Sequence, residues 1–156
     1  MLYDWTHYCV IELIFARLTR DAYEITSDEN HDYNCIAWAA GDTRIWWQPS
    51  GKRWHYWPRR GVPWNHSIDA HTKLYDSLGY SVCQSREPEP GWEKVALYRD
   101  DVTGLCSHAA RQDETRALWL SKLGYIEDIE HQTLDVLEGP PPAYGTVAVL
   151  MKRQRR

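Results

Sequence analysis

From Tyr80 to Met151 the chain alternates between apolar and polar residues in short runs, and that period constrains its fold more than any other feature. The runs are Tyr80–Cys83, Glu93–Tyr98, Leu105–Gln112, Ala117–Leu123 and Thr146–Met151, most of them bounded by Gly or Pro. Side chains that alternate in this way bury one face of a strand and wet the other, which predicts an antiparallel sheet. Asp128–Leu137 reads as a short helix before the turn Gly139-Pro140-Pro141-Pro142. The first half has a different character. Cys9–Thr19 is helix-forming, and Tyr33–Ala40 is Ala-rich and closes at Gly41. Ser67 caps a third helix, with Ile68, His71, Leu74, Tyr75 and Leu78 on one stripe and Gly79 as its stop. Helices first and a sheet afterwards predict an α+β domain.

Between the helices, Gly41 to Asn65 has no periodicity but carries Trp46, Trp47, Trp54, Tyr56, Trp57 and Trp64 among three prolines and several glycines. Long loops in compact domains are often functional. Nine Trp and ten Tyr against a single Phe suit half-buried surfaces better than a dry core, because Trp and Tyr keep a polar handle. Trp46, Trp47, Trp54 and Trp57 read first as the private core of a long loop, and otherwise as a stacking platform for a sugar or extended peptide or a lid over Cys35; Trp46 and Trp47 are the candidates to face a ligand, and Trp57 is expected to be structural.

The formal net charge is −4, and four positive charges sit in the last five residues, so the body before that tail carries about −8. Nucleic acid is therefore an unlikely partner, since neutralising phosphates needs a clustered basic face. The basic tail, 152–156, reads as a frayed end. Cys9, Cys35, Cys83 and Cys106 form no CxxC pair, which fits reduced thiols in the cytoplasm. The apolar run near the N-terminus is too short to span a bilayer, so no membrane association is expected.

The sharpest chemical signal is Cys35 at the start of a predicted helix, where free N–H groups and the helix dipole favour a thiolate. His108 opens a predicted strand and is the candidate general base and acid. Ser121, and after it Asp128, are the candidates to orient that imidazole. A hairpin turn centred on Glu114–Thr115 places Ser121 opposite His108, on the same face. Asn34 and the Cys35 N–H are candidate oxyanion donors. The Cys106/His108 pair lacks the second close pair that zinc sites usually show, so no metal and no other cofactor are expected.

The motifs Tyr33-Asn34-Cys35-Ile36-Ala37-Trp38-Ala39-Ala40-Gly41-Asp42, His108-Ala109-Ala110-Arg111-Gln112 and Ser121-Lys122-Leu123-Gly124 resemble those of a bacterial family of uncharacterised proteins. The resemblance covers about Tyr23 to Arg153. In element order that family is similar to the papain-like NlpC and CHAP superfamily, with Cys on a helix and His on a following strand. The resemblance implies a papain-like helix layer packed on an antiparallel sheet over residues 23–151, after a helical lead-in over 1–22. It also implies a thiol peptidase, amidase or acyltransferase acting on a peptide, amide or thioester. The competing expectation is a non-catalytic binding or interaction protein that uses the Trp-rich loop.

Overall fold

In the computed structural model, which describes residues 3–156, the period-two runs pair into one antiparallel sheet. Its strands are β1 (Tyr23–Ser27), β4 (Ser81–Cys83), β5 (Trp92–Arg99), β6 (Cys106–Asp113), β7 (Leu118–Lys122), β8 (Asp128–His131) and β9 (Thr146–Gln154). The strand order is β1-β8-β7-β6-β5-β9-β4. Two further short strands, β2 (Trp46–Trp47) and β3 (His55–Tyr56), pair in parallel within the Trp-rich segment. The α-helices among the described residues are α1 (Trp5–Ile14), α2 (Cys35–Ala39) and α3 (Ile68–Asp76).

The expected papain-like helix layer on a sheet does not form. The sheet dominates, and its two faces are buried by different material. On one face Tyr98, Ala110, Trp119 and Ile129 pack with Tyr8 and Ile11 of α1. On the other, Val95, Leu97, Ala109 and Met151 pack with α2, α3, Trp47 and Trp57. Two segments account for the enlarged sheet, one read as helix and one given no reading from the sequence. Asp128–His131 is strand rather than helix, because Ile129 and His131 alternate into the first face. Tyr23–Ser27 adds an edge strand against it, with Tyr23 and Ile25 buried.

Local capping fixes the helices. Ser67 Oγ accepts from the Ala70 N–H at the start of α3, and Asn34 Oδ1 accepts from the Ala37 N–H at the start of α2. Tyr75 of α3 donates its hydroxyl to the Ile36 carbonyl at 2.7 Å, tying the two helices together. The basic tail is not frayed at its start, since β9 runs to Gln154. Lys152 pairs with Glu89, Arg153 with Glu93 and Arg155 with Glu114. Gly145, just before β9, has φ +81°, and a Cβ there would meet the Arg99 carbonyl oxygen at 2.0 Å, so only glycine fits. No helix among the described residues is long and apolar enough to cross a membrane.

Candidate functional site

The two faces of the sheet separate the expected catalytic pair. Cys35 sits at the first turn of α2 and packs with the α2–α3 face. His108 is fully buried on the opposite face, its ring stacked on Tyr144 at 4.1 Å and edge-on to Tyr98 at 5.3 Å. No hydrogen bond joins the two among the described residues. Burial pushes the Cys35 thiol above its ordinary value. The N–H groups of Ala109, Ile36 and Cys35 itself, and the Lys122 ammonium, act against that rise without cancelling it. The expected low-pKa thiolate with a neighbouring imidazole is therefore corrected.

His108 does find Ser121. Its Nε2 lies 2.9 Å from Ser121 Oγ, which in turn lies 2.8 Å from His131 Nε2. His131 Nδ1 donates to the Thr133 carbonyl at 2.9 Å. The hairpin register differs from expectation: Arg111 faces Leu120 across the strands, so the pairing is displaced by two residues. A displacement of two preserves the face, whereas a displacement of one would have turned Ser121 away. Burial drives the His131 imidazole down to about 4, and it drives His108 well below the ordinary histidine value, helped by His131. A neutral, fully buried network of this kind is built for packing specificity rather than for proton transfer with solvent.

Asp128, the second candidate to orient His108, lies on the α2 side instead. Its Oδ2 accepts from the Tyr33 hydroxyl at 3.0 Å and its Oδ1 is buried without a partner. Burial raises its carboxyl, against the opposing influence of Tyr33 and Lys122. Asn34 is not free to act as an oxyanion donor. Its Nδ2 donates to the Trp47 carbonyl at 3.0 Å, and its Oδ1 accepts from both the Ala37 and Trp47 N–H groups. The residue thus caps α2 and pins β2 at once. Cys106 points its thiol at the His108 carbonyl, and no group of three or more His, Cys, Asp or Glu among the described residues is placed to hold a metal.

The Trp-rich segment divides its aromatics between core and surface. Trp57 is 4% exposed and donates Nε1 to the Pro63 carbonyl. Trp47, expected as a ligand-facing residue, is 8% exposed and donates Nε1 to Asp42, so it is structural. Trp46 is half-buried with Nε1 on the His31 carbonyl, and it lines a cleft of about 600 Å³. Trp54, 65% exposed, and Tyr125, 58% exposed, complete the aromatic lining together with His55. Trp46 lies 5.0 Å from the Tyr125 ring and is stacked at 6.1 Å on His55. The side chains of Asp32, Arg44, Gln48 and Lys52 supply polar groups in the same cleft. Sequence reasoning missed Tyr125 and His31. The visible signal was an aromatic residue directly after Gly124 at a hairpin turn, where packing does not require one.

No curated protein and no solved structure matches this chain. One family does, described as "Domain of unknown function (DUF7689)", and the match spans residues 24–152, from β1 through most of β9. With all but the outer ends of the sheet, the helices α2 and α3, and the aromatic cleft inside the matched range, the chain belongs to the DUF7689 family.

Proposed function

We propose that this domain is a binding module whose cleft, walled by the Trp-rich segment and the turn between β7 and β8, holds a saccharide. The observation that carries this reading is the exposed aromatic lining, with Trp54 and Tyr125 more than half in solvent beside Trp46 and His55. A pyranose has an apolar C–H face that rests on an aromatic ring and an edge of hydroxyls that seeks carboxylate, amide and cationic partners. Asp32, Gln48 and Lys52 supply those partners in the same cleft. Four free cysteines fit a reducing, cytoplasmic setting for this activity.

Titration with neutral hexose oligosaccharides, followed by tryptophan fluorescence and by NMR shifts, tests this. Binding by the wild-type domain is expected to fall at least tenfold in Trp54→Ala and in Tyr125→Ala. It should be unchanged in Trp64→Ala, which removes an exposed Trp outside the cleft. A domain whose spectra do not respond to any oligosaccharide in the panel overturns the reading.

One observation favours a second reading, thiol chemistry at Cys35: three backbone N–H groups converge on its sulfur, with the Lys122 ammonium acting in the same direction, although burial still holds the free thiol above its ordinary value. The nucleophile would then act without His108. Site-resolved alkylation at neutral pH tests this reading, which requires Cys35 to label faster than Cys106, the thiol that burial raises furthest.

A further inference from the structure

A second cavity, of about 380 Å³, opens on the α2 face of the sheet at the far end of α2 and shares no residue with the aromatic cleft. Arg111, half-buried on β6, lies in its wall with the guanidinium carbon over the Trp38 ring, 4.1 Å from its centroid. The other charges around the cavity are matched. Arg153 is bonded to Glu93, Arg155 to Glu114, and Lys94 to Glu89. Asp113 is taken by Arg116 and by Thr115. Arg111 has no carboxylate within ion-pair distance and no side-chain hydrogen bond among the described residues. A guanidinium held over an indole face, with no protein group taking its N–H donors, is placed to receive a planar oxyanion through two parallel bonds.

We infer that this cavity is a binding site for a small monocarboxylate, with Arg111 as the residue that receives the carboxylate. Charge matching selects the monoanion. The lining carries one unpaired cation among the described residues, which neutralises a carboxylate but leaves half the charge of a phosphate dianion uncompensated. Tyr80, Leu120, Ala39 and Ala40 line the same cavity and offer apolar surface for the body of the ligand. The site is independent of the saccharide reading, since the two cavities have different linings.

The test uses the intact chain and three probes built on one phenyl ring: benzoate, its neutral planar isostere benzamide, and the dianionic phenyl phosphate. Benzoate should shift the Arg111 Nε–Hε resonance of the wild-type domain and bind at least tenfold more tightly than benzamide. Arg111→Gln should abolish benzoate binding. Arg111→Lys, which keeps the charge but loses the planar fork, should weaken it about tenfold. Equal binding of benzoate and benzamide, or a benzoate response that leaves the Arg111 resonance unmoved, overturns the proposal. Tighter binding of phenyl phosphate than of benzoate overturns the monoanion assignment. The wild-type resonance decides the matter even if Arg111→Gln does not fold.

Discussion

Acid should weaken this domain well before its carboxylates titrate, because several of its histidines are buried as neutral rings. His71, held between Trp57 and its own helix, and His131, in the Ser121 network, are both driven by burial from the ordinary 6.5 down to about 4. A group whose pKa is lowered on folding takes up its proton first in the unfolded chain. The stability it contributes is therefore present above pH 6.5 and is lost as the pH falls from 6.5 towards 4. At pH 5 the unfolded ring is almost fully protonated and the folded ring almost fully neutral, so each group costs about 2 kcal/mol relative to pH 7. Together they remove about 4 kcal/mol, and His108 adds to the loss in the same direction. His7 works the other way, since its bond to Glu127 raises its pKa, but it is exposed and its effect is small.

Losing about 4 kcal/mol is serious for a domain whose total stability is on the order of 5–15 kcal/mol. Urea denaturation at pH 7, 6 and 5 should show the midpoint falling steeply while the slope with denaturant stays constant. His71→Asn and His131→Gln should each be less stable than the wild type at pH 7 yet lose about 2 kcal/mol less between pH 7 and 5. The reasoning would be refuted by a wild-type domain that is as stable at pH 5 as at pH 7 within about 1 kcal/mol. It would equally be refuted by variants that keep the full pH dependence.

Two further outcomes are expected. Ser121→Ala removes the hydroxyl that serves both His108 and His131 and strands two buried ring nitrogens, so it should cost about 2–4 kcal/mol by chemical denaturation. A variant within about 0.5 kcal/mol of wild type would mean the network contributes nothing net. Gly145→Ala should cost on the order of 3 kcal/mol or more, because the added Cβ meets the Arg99 carbonyl at a left-handed backbone position. A melting temperature unchanged by that substitution would contradict the close approach.

The strands were legible where one face of the chain is buried and the other wet, as in β5, β6 and β7. The segments misread or left unread have physical reasons. Asp128–His131 lies at two turn-flanked ends and contributes only four residues, too few to separate a period of two from one of 3.6. Tyr23–Ser27 forms a strand because β8 offers it an edge, a long-range partner that no local pattern announces. The tail looked frayed from its charge alone, yet Glu89, Glu93 and Glu114 pair with it from distant positions. Trp47 was misjudged for a related reason: whether a Trp in an aperiodic segment points inward depends on Asn34, whose amide pins the β2 backbone.

The separation of Cys106 from His108 turns on one residue. Tyr98 of β5 faces His108, but the next residue, Arg99, faces Cys106, so Ser107 has no partner and the ladder bulges there. In a regular strand Cys106 and His108, two apart, would share a face. The unpaired Ser107, its hydroxyl on the Tyr144 carbonyl at 2.6 Å, sets them on opposite faces instead. Cys106 then packs on the α2 side with Cys35, while His108 turns away into the Tyr98–Tyr144 stack. The same parity carries Arg111, three residues further on, to the α2 side and against Trp38. A bulge changes no residue type and leaves the apolar alternation of its neighbours intact, so the sequence pattern predicts a strand correctly and still misassigns its faces. The consequence is specific: the bulge sets Cys106 beside the α2 thiol, while regular alternation after it keeps His108 in the opposite core and Arg111 on the α2 side.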